Sequence, residues 1–495
     1  MTGNSKGGGR TPRQAAGGKR PQAARKPASG AKRPPAKGSG QGSGQGRGQG
    51  RGQVVRVSYE TKQKKPRTDD FNAFSGAPRK RSAAAVSAPR TKLLGGSRKT
   101  RKNKKGGIQS VFGKFFSQTF SGITNTLRDR TRKFDKPLLW IIILMVVVGL
   151  IMLYSASYTY AYYHEKGDSA FYAAKQFKFA VVGTLIMLAT SFIPMKTIRM
   201  LNLPINILSF ILLVVVLFTK EIEFVHRWID LGFTTFQPSE ITKLGVILFC
   251  STWADSKYDR MNKFLTGALP FAIMLLVVCG LLVLEPHLSC IVLILLITLT
   301  IMFVGGTKLW HMLTMCAAGA AGVVLAIVTK IVPYSGGRID AWLHPFENAK
   351  DAGWQTLQSL YAIGSGGLLG MGLGNSRQKN LYIPEPQNDF VFAVVCEELG
   401  FIGAVLILAL FAAFVWRGLT LSASNPNRFS RFVGIGITAQ IGWQALLNIA
   451  VVTNSVPNTG ISLPFFSYGG TSMLMLLFEM GILLAISRDS TAKKI

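Results

Sequence analysis

The sequence predicts an all-α polytopic membrane protein of about ten transmembrane helices, preceded by a disordered basic tail. Three observations predict it. From Pro137 onward, apolar runs of about 20 residues recur, the length that crosses a hydrocarbon core. The net charge of +34 is segregated: residues 1–136 carry 34 Lys and Arg against 5 Asp and Glu, and the remainder carries 23 against 18. A long polar stretch, 332–388, interrupts the apolar runs and predicts a large extracellular loop between helices 7 and 8.

The tail spans residues 1–107. It is rich in Gly, Pro, Ser, Gln, Lys and Arg, and its G-S-G-Q-G-S-G-Q-G-R-G-Q repeat has no core-forming side chain. Such a segment cannot bury enough apolar area to offset its ordering entropy. It has no apolar run near Met1, so it does not read as a cleaved signal peptide. Its charge suits anionic lipid headgroups or acidic partners on the cytoplasmic side. Binding of nucleic acid by charge alone is the less favoured reading. Residues 108–130 follow a different pattern. Ile108, Val111, Phe112, Phe115, Phe116, Phe120, Ile123 and Leu127 recur at helical spacing with Lys114, Arg128 and Arg130 among them. They predict an interfacial amphipathic helix.

The predicted spans are 138–156, 172–193, 205–219, 239–254, 264–284, 287–304, 308–331, 389–416, 430–453 and 466–487. With ten spans the Lys and Arg clusters near the span ends fall on one side, which places both termini in the cytoplasm. Cys250, Cys279, Cys290, Cys316 and Cys396 lie in or beside the spans with no C-x-x-C pair, and read as reduced, buried hydrophobes.

Polar residues at membrane depth are costly and face a cavity or one another. Gln237, Pro238, Ser239 and Glu240, with Thr242 and Lys243, open the fourth span. Glu240 and Lys243 are three apart on one helix face, either as a packing ion pair or as a polar floor under a substrate headgroup. Arg227 and Trp228 precede them at the outer interface. Glu285 lies in a tight turn between two spans. Gln440, Gln444 and Asn448 share a face of the ninth span and suit hydrogen bonding between helices. Glu397, Glu398 and Glu479 are further acids in spans.

These motifs carry a resemblance. The order R-W-I-D-L-G, F-Q-P-S-E-I-T-K, L-E-P-H-L-S, G-W-Q-T-L-Q-S-L-Y-A-I-G-S-G-G-L-L-G-M-G-L-G-N-S-R-Q-K and L-P-F-F-S-Y-G-G-T-S is similar to the SEDS family of bacterial shape, elongation, division and sporulation proteins. The similarity covers the membrane portion, 137–488, and its N-S-R-Q-K and P-E-P-Q-N-D-F-V-F-A-V stretches look most like the FtsW and SpoVE branch. It implies a peptidoglycan glycosyltransferase that polymerises lipid II at the outer face of the cytoplasmic membrane, at the division septum for an FtsW-like protein. The implied partners are a class B penicillin-binding transpeptidase and other proteins of the division or elongation complex. A lipid II flippase and a non-catalytic scaffold are the alternative functions.

Polymerisation displaces a lipid diphosphate from an anomeric carbon by a sugar hydroxyl. It needs a base for the hydroxyl proton and cations, from protein or from a divalent ion such as Mg or Mn, for the leaving group. In the family the acid follows the proline of the 332–388 loop. Alignment on Pro345 and Gly353-Trp354-Gln355 puts Asn348 there, and an amide is no base. Asp351, three residues on, becomes the candidate, with Glu347 and Asp340 behind it. Arg338, Lys350, Ser376, Arg377 and Lys379 are candidate substrate contacts from the loop, and Ser467 one from the opening of the tenth span.

Overall fold

The computed structural model describes residues 134–219, 227–232, 234–328, 335–347 and 353–490. The basic tail, the expected 108–130 helix, Asn348, Lys350, Asp351 and the side chain of Arg338 lie outside the described residues.

The chain is a mostly helical, multi-pass membrane protein. α1 runs Lys136–His164; Asp135 caps it by accepting from Leu138 N at 2.9 Å, and Pro137 sits in its first turn. The same Asp135 carboxylate takes the Arg417 guanidinium at 2.5 Å. α2 (Phe171–Thr190), α3 (Met195–Met200) and α4 (Asn202–Val216) follow. A two-residue hairpin, β1 (Ile229–Asp230) and β2 (Thr235–Phe236), pairs antiparallel with Ile229 opposite Phe236. α5 (Pro238–Ser256) opens with proline, whose missing N–H is no loss in a first turn. Then come α6 (Phe264–Gly267), α7 (Leu269–Leu284), α8 (Leu288–Val304), α9 (Leu309–Val328), α10 (Ser335–Leu343), α11 (Trp354–Gly366), α12 (Val391–Ala423), α13 (Arg428–Val452) and α14 (Gly470–Asp489).

Each of the expected spans meets one of these helices. Among the described residues six stretches are long and apolar enough to cross a membrane: α1, α2, α6 with α7, α12, α13 and α14. α4 and α8 are shorter apolar helices. On α1, Trp140, Leu144, Val147 and Ile151 are exposed at helical spacing, the pattern of a lipid-facing stripe, while Leu138, Ile142, Met145 and Met152 are buried. α13 is the central helix, packed on α12, α8 and α5, and α14 lies along α2.

The polar stretch expected as an irregular loop contains α10 and α11. α11 buries Leu357 and Ala362 and donates from Ser359 Oγ to Val452 O at 2.7 Å. Its many polar residues hid a helix that packs chiefly on α12. The glycine-rich segment after it is laid on a break in α12. Gly400 sits at φ 65° there, and the helix loses its own hydrogen bonds across the break. The glycine segment replaces them. Met371 N and Gly372 N each donate at 2.9 Å to Glu397 O and Glu398 O, and Phe401 N donates to Gly367 O at 2.9 Å. Backbone groups in a bundle interior require such partners. A Cβ at Gly370, which has φ +80°, would stand 2.2 Å from Glu398 O. Gly370→Ala is therefore expected to destabilise the protein by on the order of 2–4 kcal/mol, measured by thermal unfolding in detergent. An unchanged midpoint would show that the segment does not depend on this contact.

Candidate active site

A cavity of about 900 Å³ opens among the hairpin, the start of α5, the α7–α8 turn, the 385–389 segment and the approach to α14. Its floor is the start of α5. Pro238 starts the helix, Glu240 falls in its first turn and Lys243 three residues on, so both lie on the inward face. Lys243 Nζ lies 2.9 Å from Glu240 Oε1 and 3.3 Å from Gln444 Oε1. Gln444 Nε2 in turn donates to Ser462 O at 3.0 Å. The pair is thus both packing and floor: it is buried among hydrogen bonds, and both side chains line the cavity.

Arg227 forms a second wall. Its Nε donates to Glu285 O at 3.2 Å and its Nη2 to Pro286 O, so the guanidinium clamps the backbone of the α7–α8 turn. The Glu285 carboxyl is 1% exposed, and neither oxygen has a hydrogen-bond partner among the described residues. Burial pushes its pKa up to about 8, opposed by the Arg227 charge. His287, buried and lining the cavity, has no partner for Nδ1 among the described residues. Burial, with Arg227 and Lys243 nearby, holds its pKa well below the usual imidazole range, so it is neutral.

A stability prediction follows for Glu285. Its folded pKa lies above the ordinary 4.5, so between pH 4.5 and about 8 the folded state holds a proton the unfolded state has released. Stability contributed by the neutral carboxyl is full below pH 4.5 and is lost as pH rises to about 8. Glu285→Gln is expected to flatten the decline of the unfolding midpoint across that window. An identical pH profile in the variant would remove Glu285 as its source.

The remaining walls carry residues the motif reading did not single out. Tyr172 OH donates to Glu165 Oε1 at 3.1 Å, and its ring meets Tyr468 edge-on at 4.9 Å. The Tyr468 hydroxyl is pushed up to about 12 by burial and by Glu165, so it is a neutral donor. Lys175, Asp230, Glu385, Asn388 and Asp389 also line the cavity. The P-E-P-Q-N-D string carried the signal for the last three, but its residues had no assigned roles. Asp230 belongs to R-W-I-D-L-G and Tyr468 to L-P-F-F-S-Y-G-G-T-S, whereas Tyr172 and Lys175 lie outside the quoted motifs.

Of the expected site residues, the fold brings Arg227, Trp228, Gln237, Ser239, Glu240 and Lys243 together on the cavity. Glu285 is buried beside it. Ser467 sits behind the wall, where its Oγ accepts from Leu463 N at 2.7 Å. Ser376 and Lys379 are elsewhere, buried against Glu397 and Glu398 on α12. Arg377 is exposed, and its backbone N–H donates to Glu397 Oε1 at 2.9 Å. Asp340 and Glu347 are exposed, and Glu347 is 4.0 Å from His344 Nδ1. Among the described residues no three His, Cys, Asp or Glu side chains are grouped as metal ligands.

The comparisons with known proteins agree on a family. The pattern of the cell cycle protein family that groups FtsW, RodA and SpoVE matches residues 136–492. The stage V sporulation protein E of Bacillus subtilis is 39% identical over 371 residues, covering 73% of this chain and 99% of that protein. The probable peptidoglycan glycosyltransferase FtsW of Trichlorobacter lovleyi is 36% identical, covering 72% of this chain and 94% of its own length. Among solved structures, a chain of a peptidoglycan synthase complex that coordinates polymerization and crosslinking superposes with a TM-score of 0.60 at 28% identity, over 72% of this chain and 98% of its own. The rod shape determining protein RodA of Thermus thermophilus superposes with a TM-score of 0.54 at 26% identity, with the same coverage. On these matches across its whole membrane portion, the chain belongs to the FtsW, RodA and SpoVE family of cell cycle proteins.

Proposed function

We propose that the protein is a peptidoglycan glycosyltransferase that polymerises lipid II into glycan strands at the outer face of the cytoplasmic membrane. The observation that carries this reading is the cavity of about 900 Å³, walled by charged and hydroxyl groups within an apolar bundle. An amphiphilic substrate with a charged, sugar-bearing headgroup has that division of polarity. The names of the FtsW relatives support the same reaction.

The mechanism follows from the walls. Arg227, Lys175 and Lys243 supply positive charge where the diphosphate leaves the anomeric carbon. Neutral Tyr468 and His287 hydrogen-bond uncharged parts of the headgroup. A loop carboxylate, Asp351, takes the proton of the attacking hydroxyl, and single displacement inverts the anomeric centre. In this reading both termini are cytoplasmic, the 332–388 loop is extracellular, and a class B penicillin-binding transpeptidase receives the strand. The peptidoglycan synthase complex among the solved neighbours supports such a partner. The likeness of the N-S-R-Q-K and P-E-P-Q-N-D strings to the FtsW and SpoVE branch is in keeping with a role in division.

The test is to incubate the purified protein, with its transpeptidase, with labelled lipid II. Glycan polymer is the expected product. Transfer of lipid II across vesicles without polymer would replace this reading by the flippase. The basic tail serves as a holder of anionic lipid headgroups, outside the catalytic machinery. Deleting residues 1–107 is expected to leave polymerisation intact and to disperse the protein from its membrane sites. Loss of polymerisation in the deletion would overturn that separation.

A further inference from the structure

Two adjacent glutamates on α12 organise the segment that forms one cavity wall. Glu397 and Glu398 are 0% and 1% exposed, immediately before the break at Gly400. Neighbouring helical positions point about 100° apart, so the two carboxylates take different partners. Glu397 accepts from Ser376 Oγ at 2.5 Å and from Arg377 N at 2.9 Å, with Gln378 N at 3.3 Å. Glu398 accepts from Lys379 Nζ at 2.7 Å and from Ser155 Oγ of α1 at 2.6 Å. Lys379 Nζ also reaches Ser155 Oγ at 3.2 Å. The turn 376–379 is thus fastened to α12 through one carboxylate and to α1 through the other.

The chain runs from this turn directly to the cavity. Ile383 N donates to Gln378 O at 2.9 Å, and Glu385, Asn388 and Asp389 then line the wall. Glu385 sits at φ 45°, a costly backbone state for a residue with a side chain, and such states persist where surroundings over-determine them. The far end is held as well: Tyr468 N donates to Gln387 O at 2.8 Å and Asn448 Nδ2 to Asp389 O at 2.8 Å. A buried ion pair adds little net stability over an apolar pair of the same shape, but its directional bonds specify one arrangement.

We propose that Ser376, Lys379, Glu397 and Glu398 are positioning residues that hold the 380–389 segment so that Glu385, Asn388 and Asp389 present their side chains to substrate in the cavity. The proposal rests on the reading of the cavity as the polymerisation site. It moves Ser376 and Lys379 from direct substrate contact to action through the wall.

The test compares wild type, Lys379→Met, and Lys379→Met combined with Glu398→Gln. It reads thermal unfolding, amide hydrogen exchange over 376–389, and the dependence of polymerisation rate on lipid II concentration. Lys379→Met strands a buried carboxylate and is expected to lower both the midpoint and kcat/KM. The double variant removes that charge, so the midpoint is expected to recover. Its exchange over 380–389 is expected to stay raised and its kcat/KM about tenfold low, since small misplacements of substrate contacts are costly. Recovery of wild-type kcat/KM together with the midpoint would reduce the pair to a structural element and overturn the proposal; so would unchanged exchange. If neither variant folds, Ser376→Ala decides, because it removes one hydrogen bond to Glu397. Raised exchange with lowered kcat/KM supports positioning, and wild-type kinetics or unchanged exchange overturns it. A wild type that makes no polymer sinks the polymerase reading, and exchange over 380–389 in the variants alone then decides this proposal.

Discussion

Replacing Asp351 by alanine is expected to lower lipid II polymerisation by roughly 10²–10⁴-fold, the span a positioned general base contributes. The attacking sugar hydroxyl must lose its proton as the bond to the anomeric carbon forms, and only a carboxylate among the loop candidates aligned near the family's acid position can take it. Asn348, at the aligned position itself, carries an amide that cannot. Two variants sharpen the assignment. Asn348→Asp places a carboxylate at the family position, so it is expected to restore part of the activity lost in Asp351→Ala. Polymer yield from labelled lipid II, measured for the single and combined variants, checks both. An active Asp351→Ala enzyme would remove Asp351 as the base. The proton would then pass to Glu347, to Asp340, or to the acids the fold sets on the cavity wall, Glu385 and Asp389.

The second large effect falls on the cavity floor. Lys243→Met leaves Glu240 as a buried carboxylate without its 2.9 Å ammonium partner. Removing one member of a buried pair costs about 3–5 kcal/mol, because the remaining charge is uncompensated. Gln444 also loses a donor to its Oε1. Combining Lys243→Met with Glu240→Gln is expected to recover most of the unfolding midpoint, since no charge is then stranded. Polymerisation is not expected to recover with it, because the cavity has lost a cation that the proposed mechanism sets against the departing diphosphate. A Lys243→Met protein as stable as wild type would show that the floor is solvated rather than sealed. A double variant with normal polymerisation would make the pair a packing element alone.

The contrast between these two sites shows where sequence reading ended. The Glu240–Lys243 pairing was legible because Q-P-S-E-I-T-K is local: proline starts the helix, and three-residue spacing puts the two on one face. The apolar runs were legible for the same reason, since length is a property of a single segment, whereas the exposed stripe of α1 appeared only once its neighbours packed on the other face. Lys379 was expected as a substrate contact, and the fold buries it against Glu398 and Ser155 instead of on the cavity. A lysine between Gln378 and Asn380 in a polar loop looks solvated or available to a ligand, and nothing local says that Glu398 and Ser155 close over it. His287 and Tyr468 lie in the L-E-P-H-L-S and L-P-F-F-S-Y-G-G-T-S motifs, but what each faces is decided only when distant helices set it on the cavity.

The sequence by itself determined a multi-pass helical membrane protein with a segregated basic tail, and through its ordered motifs the family to which it belongs. Apolar length, helical period and charge segregation are written locally, so no folding is needed to read them. Only the tertiary structure decided that α10 and α11 occupy the polar stretch, that the glycine segment completes the broken α12, and that Glu397 and Glu398 fasten the wall while Glu240 and Lys243 floor the cavity. Those assignments depend on which buried carboxylate meets which partner across more than two hundred residues in some cases, as with Ser155 and Glu398 at a separation of 243. Hydrogen bonding and burial are pairwise properties of folded neighbours, and a linear pattern carries no record of them.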